Sequence, residues 1–319
     1  MNTSSTISKT DELTDKQTSQ HDAKKVFSFI SNFAEKFMSD ARHYQIAFLS
    51  VFLFFGITSL GWDVDAKKFI VTFATCFLTQ FLFIVITKGN FNSLKSSLIS
   101  SFSLCLMFKA NMLETVALAS FLSIASKFIL KINGKHIFNP TNFGIIVTIL
   151  FTHDAWVSPG QWGSNGLLIF SVGLLGLVVL LKVKRLDTAL AFFITFAGLM
   201  FYRSVLYLHW PMNFYFHQLS SGTLLLFTFF MITDPVSTPS NKYARIIWAS
   251  AVGVLAYYLQ VKLFMNATPV WALFFLSPLS PLLDHFFKGE KFQWLKKSKS
   301  SAFAEAMADK KNLIPSTSK

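Results

Sequence analysis

Apolar residues run along this chain in long blocks rather than in helical or alternating stripes, and polar residues gather between them. The blocks cover residues 44–60, 69–87, 94–108, 113–130, 143–151, 166–181, 189–208, 222–232, 246–264 and 270–287. An α-helix rises ~1.5 Å per residue and a hydrocarbon core is ~30 Å thick, so blocks of this kind read as membrane-spanning helices. The expected fold class is an all-α polytopic membrane protein of ten transmembrane helices, some of them interrupted. The third, fifth and eighth blocks are too short to cross comfortably.

The eighth block organises the rest. In SSGTLLLFTFFMITDPVSTPSNKYAR, residues 220–245, the apolar run opens behind Gly222 and stops at Asp234-Pro235. Proline has no backbone N–H and disfavours helix in the residue before it, so the helix ends near Asp234. A carboxylate and several unpaired carbonyls then sit at or just inside the membrane boundary. This makes Asp234 the candidate for a Na⁺ or proton site; the alternative is a helix terminator that caps the next turn through Ser237 or Thr238. Ser221, Gly222 and Thr223 open the same helix, and could hold a polar ring edge or a phosphate, or serve as an ordinary N-cap. In the first half, KHIFNPTNFG places Asn139-Pro140 before the short fifth block. Interrupted helices in both halves suggest two five-helix inverted repeats, residues 44–155 and 163–287, with a site near the middle.

Composition agrees with a membrane protein: 52% of the 319 residues are hydrophobic, 14% are charged, and mean hydropathy is +0.48. The formal net charge of +13 lies in tails and short loops, which argues for anionic lipid rather than nucleic acid as the partner. If the N-terminus is cytoplasmic, the inner loops hold Lys88, Lys95, Lys127, Lys131, Lys135, Lys182, Lys184, Arg185, Lys242 and Arg245. These outnumber the outer Lys67, Lys68, Lys109, Arg203 and Lys262, so a multi-pass chain with both termini cytoplasmic is self-consistent. Residues 1–43 read as a polar tail with an amphipathic approach helix near 25–38 and no signal-peptide core, and 288–319 as a basic tail.

Soluble-enzyme chemistry is missing: there is no G-x-G-x-x-G, no P-loop, no G-x-S-x-G and no His/Cys set with metal spacing. Cys76 and Cys105 read as buried small hydrophobes, and His136 as a solvated loop residue. Trp156 and Trp162 bound the turn at Ser158-Pro159-Gly160, either as interface anchors or as walls for a flavin or quinone.

KHIFNPTNFG, SGTLLLFTFFMITDPVSTPSNKYARIIWA and SPLSPLLDHFFKG, in this order, resemble the RnfD/NqrB family of membrane subunits from bacterial ion-translocating electron-transport complexes. The resemblance spans most of residues 44–288. It implies two inverted five-helix halves in the inner (plasma) membrane, bound flavin (FMN or riboflavin), electron flow coupled to Na⁺ or H⁺ movement, and other Rnf- or Nqr-like subunits and quinone as partners. Carried over residue by residue, the matches are Asn139 and Pro140, Gly222 and Thr223, and Asp234 and Pro235; Ser221 adjoins them in the expected cofactor site. Family members attach FMN to a threonine of an S-G-A-T-like outer loop. The corresponding THDAWVSPGQWGSNG has no threonine in such a setting, so any flavin here is expected to be non-covalent. WVSPGQWG and HQLSSGTLLLFTFFMITDP look closer to the UnbU-like branch associated with enediyne biosynthesis. The other readings are a stand-alone channel or transporter for a small solute or cation, and a scaffold subunit.

Overall fold

The computed structural model describes residues 28, 40–59, 61, 62, 64–158, 166–290 and 292, with the backbone alone for 166–172. It separates into two units, Met1–His43 with Gln293–Lys319, and Tyr44–Phe292. In the first, the Arg42 guanidinium grips the Asp40 carboxylate, with Nη2 to Oδ2 at 2.8 Å. The helix expected near 25–38 and most of the basic tail lie outside the described residues. Everything below concerns the second unit.

Its helices are α1 (Ala41–Thr58, beginning just before the unit), α2 (Ala66–Thr87), α3 (Leu94–Met107), α4 (Leu113–Ile129), α5 (Pro140–Thr152) and α6 (Gly166–Val183). There follow α7 (Leu186–Phe201, continued as a π-helix over Tyr202–Tyr207), α8 (Met212–Leu219) and α9 (Gly222–Leu226, continued as a π-helix over Phe227–Met231). The last are α10 (Lys242–Lys262), α11 (Thr268–Leu276) and α12 (Leu279–Phe286). The starts follow from local chemistry, because a side-chain oxygen satisfies a backbone N–H that has no partner within the helix. Asp65 accepts from Lys67 N at α2, Asn139 from Asn142 N at α5, Ser221 from Leu224 N at α9, and Asn241 from Tyr243 N at α10. Pro140 then occupies the first turn of α5, where its missing N–H costs nothing.

The burial pattern is that of a membrane protein. On α2 the side chains turned inward are Thr72, Cys76, Thr79, Gln80 and Ile84, while Ile70, Leu78 and Ile86 are each about two-thirds exposed. In water that arrangement would strand large apolar surface; against lipid it costs nothing, and interior contacts fall to small and polar residues. Among the described residues, three helices are long and apolar enough to cross a membrane: Ala66–Thr87, Leu186–Tyr207 and Lys242–Lys262. Pro140–Thr152, Gly173–Val183 and Gly222–Met231 are shorter apolar helices.

Close packing joins α4 to α5, α2 to α4, and α7 to α10. The α4–α5 contact depends on Gly144, where an added Cβ would stand 2.5 Å from Ala119 O and would also overlap Ser123 Oγ.

Each apolar block lies on a helix, with two departures, and a short ribbon forms between blocks. The third block ends at Met107, and the chain continues as strand β1 (Phe108–Ala110), antiparallel to β4 (Ala155–Val157), with Lys109 opposite Trp156. A second ribbon pairs β2 (Lys131–Ile132) with β3 (Lys135–His136). The tenth block is divided at Ser277-Pro278, where proline cannot donate to the helix ladder.

Candidate functional site

The broken helix α9 divides the expected site residues between its two ends. At ~1.5 Å per residue, its α and π segments put roughly 15 Å between Ser221–Thr223 and Asp234. Two distinct environments result.

At the Asp234 end, Thr228 and Thr233 hydroxyls donate back to Leu224 O and Phe229 O, and the helix stops at Met231. Its terminal carbonyl is then taken by the other half of the chain, because Asn139 Nδ2 donates to Met231 O at 3.2 Å. Asn139 thus caps two helices at once, its oxygen serving α5 and its nitrogen α9. Beside it, fully buried Asn142 donates to Val270 O at 2.7 Å and ties α5 to α11. So the Asn139-Pro140 end and the Asp234-Pro235 end meet.

The Asp234 carboxylate accepts from Val236 N (3.2 Å) and from Ser237 Oγ (2.9 Å), while its carbonyl accepts from Ser237 N and Thr238 N. The carboxyl group is held by neutral donors in a turn. Among the described residues it makes no ion pair. Cations instead hold the outward-facing carbonyls of the following loop. Arg185 Nη2 reaches Pro235 O (3.4 Å), Lys135 Nζ donates to Thr238 O (2.6 Å), and Arg245 Nη1 donates to Ser240 O (3.1 Å). Arg245 is also paired with Asp187, and Lys135 with Asp284 at 2.6 Å. Burial lowers the Arg185 pKa to about 10, with Arg245 adding to the effect and Asp187 opposing it.

Lys127 departs from expectation. The count of loop charges groups it with the inner loops, but it lies inside α4, buried, with Nζ donating to Ser96 O (3.1 Å) and Ser96 Oγ (3.0 Å). A single lysine within LETVALASFLSIASKFIL is a readable signal of an intramembrane charge. His136, expected in solvent, is half-buried instead; burial, then Lys127 and Lys131, push its pKa down to about 3. The buried Cys76 and Cys105 conform to expectation, with Cys76 Sγ directed at Ser120 O (3.8 Å).

At the other end, Ser221 caps its helix and Thr223 Oγ1 donates to Ser158 O. Both residues line a cavity of about 860 Å³. Trp156 and Trp271 also line it, and three amide side chains, Gln218, Gln260 and Asn266, contribute polar groups. Gln218 Oε1 is buried there without a partner among the described residues. None of the three amides stands out in the sequence, because only the fold brings α8, α10 and the α10–α11 turn together. Trp162 lies outside the described residues.

A large, mainly apolar cavity with a few convergent polar groups is how small planar ligands are generally held. Residues 148–293, which include this cavity's wall from Ile149 onward and the whole Asp234 loop, match the NQR2, RnfD, RnfE family. A relative from the ion-translocating oxidoreductase complex of Shewanella denitrificans, one of that complex's subunits, is 28% identical over 71 residues, 22% of this chain. That match spans 20% of the relative's own length. The resemblance carried by SGTLLLFTFFMITDPVSTPSNKYARIIWA and SPLSPLLDHFFKG is therefore borne out, and over residues 148–293 this membrane protein is similar to the NQR2, RnfD, RnfE family.

Proposed function

We propose that this chain is a membrane subunit of an electron-transport system and that the cavity beside Thr223 holds a flavin non-covalently. The observation that carries the reading is the cavity itself: about 860 Å³, walled by Trp156 and Trp271, with an unpartnered buried acceptor at Gln218 Oε1. An isoalloxazine ring presents an acceptor–donor–acceptor edge, and carboxamides such as Gln218, Gln260 and Asn266 can match both kinds of group. The indoles offer stacking faces and exclude water. Ser221 Oγ accepts in the helix cap and Thr223 Oγ1 donates to Ser158 O, which leaves the Ser221 hydroxyl hydrogen and the Thr223 oxygen lone pairs for a ligand. Bound flavin would supply one- and two-electron chemistry that no side chain here supplies.

The inverted-repeat arrangement of ten spans, with both termini cytoplasmic in a bacterial inner membrane, belongs to the same proposal. So do complex partners like those implied by the relative's name, and ion movement at Asp234, whose carboxylate meets no paired cation among the described residues. The test is an absorbance spectrum of the detergent-purified protein before and after acid precipitation. Yellow colour that passes into the supernatant, and that falls in Gln218→Leu, supports the reading. Colour retained in the pellet would mean a covalent link. A protein that stays colourless after added FMN refutes the flavin site and leaves the transporter or scaffold, which solute flux into liposomes separates.

A further inference from the structure

On the Asp234 face, a cavity of about 520 Å³ lies between the β2–β3 ribbon, Ser240 and the end of α12. Its charged groups do not contribute equally. Lys135 spends its three donors on Thr238 O, Ser240 Oγ and Asp284 Oδ2, and Asp284 spends its other oxygen on Ser240 N at 2.6 Å. That pair forms a neutral, saturated floor. The charge left over is Lys288 at the rim, which makes no ion pair among the described residues, with exposed His285 three positions before it. Glu290 is not part of the lining. Deeper in, His136 Nδ1 is buried with no hydrogen-bond partner among the described residues, on an imidazole that burial keeps neutral.

The chain beside this cavity presents a second surface. Along α12, Leu279, Leu282 and Phe286 are 42%, 51% and 69% exposed, and their spacing puts them on one stripe. This stripe ends where Lys288 and His285 begin. An unpaired cation, an unsatisfied buried nitrogen and an adjoining apolar stripe describe one amphiphile.

We propose that this cavity binds the headgroup of an anionic phospholipid carrying free hydroxyls, of the phosphatidylglycerol class. The phosphate oxygens accept from Lys288 and His285, a headgroup hydroxyl meets His136 Nδ1, and the acyl chains lie along Leu279, Leu282 and Phe286. This site is independent of any flavin.

The test uses the full chain, stripped of lipid in detergent, with native mass spectrometry after adding equal amounts of dioleoylphosphatidylglycerol and dioleoylphosphatidylcholine. Retention of phosphatidylglycerol over phosphatidylcholine is expected, and Lys288→Gln reduces it about fivefold, the value of one surface charge against an anionic headgroup. Lys262→Gln, outside the cavity, leaves it unchanged. His136→Phe keeps the ring volume but abolishes the preference for phosphatidylglycerol over phosphatidic acid, which has no headgroup hydroxyl. Slow thiol labelling of buried Cys76 confirms that each variant is folded. Equal retention of the two lipids, or an unchanged Lys288→Gln, overturns the proposal. So does displacement of phosphatidylglycerol by an equal concentration of inorganic phosphate, which would make this a free-phosphate site.

Discussion

Substituting Gly144 by Ala tests how tightly α4 and α5 are joined. The new methyl carbon would lie 2.5 Å from Ala119 O and 2.9 Å from Ser123 N, and would overlap Ser123 Oγ. Two of these are backbone atoms, so rotating a side chain relieves only the third. The helices must move apart by roughly 1 Å to restore ordinary van der Waals spacing. Overpacking of this severity costs ~3 kcal/mol, at the upper end for an inserted methyl group. Alanine recovers ~1 kcal/mol as a better helix former than glycine. The net loss of ~2 kcal/mol lowers the unfolding midpoint by roughly 4–8 °C in a domain of this size. The assay is a thiol-reactive fluorophore during a temperature ramp, since Cys76 and Cys105 are both buried and label only on unfolding. Gly198→Ala is the control, because none of the described residues lies within 4 Å of its added Cβ; it should leave the midpoint unchanged or raise it. A Gly144→Ala midpoint at or above wild type would refute the packing argument.

Asp187→Asn leaves the Arg245 guanidinium, only 7% exposed, without its carboxylate; removing one partner of a buried pair costs ~3–5 kcal/mol, which the same labelling assay reads as a large fall in midpoint. His136 has a folded pKa of about 3 against an ordinary 6.5, so in acid the unfolded chain takes up a proton that the folded chain refuses. Stability is therefore lost as pH falls below the ordinary value, by ~2 kcal/mol between pH 6.5 and 5; a series of midpoints against pH should show the slope, and His136→Gln should flatten it. Asp234→Asn retains an acceptor for the turn made with Val236 N and Ser237 Oγ. Expression, midpoint and flavin retention in the separate Thr223 cavity are expected to hold while ion-coupled transport falls; full activity in reconstituted vesicles would leave Asp234 as a helix terminator alone.

Much of the architecture could be read directly because lipid imposes a one-dimensional rule: a segment surrounded by hydrocarbon must be apolar along its length and must satisfy its own backbone. The apolar blocks, the stop at Asp234-Pro235 and the caps at Asn139 and Ser221 are all consequences of neighbours in sequence. The two cysteines followed from the same reasoning. Lys127 was legible only in part: the sequence already sets it within the fourth apolar block, but its burial against Ser96 is a product of the fold. His136 likewise sits in a basic loop, yet the fold half-buries it.

By itself, then, the sequence determined that this is a helical membrane protein, where most of its helices begin and break, and which family its second half resembles. Only the tertiary structure decided that Asn139 meets the Asp234 end of the broken helix, while Ser221 and Thr223 stand at the opposite end beside a separate cavity. It also decided that Gln218, Gln260 and Asn266 share that cavity, and that β1 and β4 pair into a ribbon. The physical reason is range. Caps, proline breaks and hydrophobic blocks act over a few residues, whereas Asn139 and Met231, or Ser158 and Thr223, come together only when distant helices pack, a choice set by small interior residues such as Gly144 rather than by any local pattern.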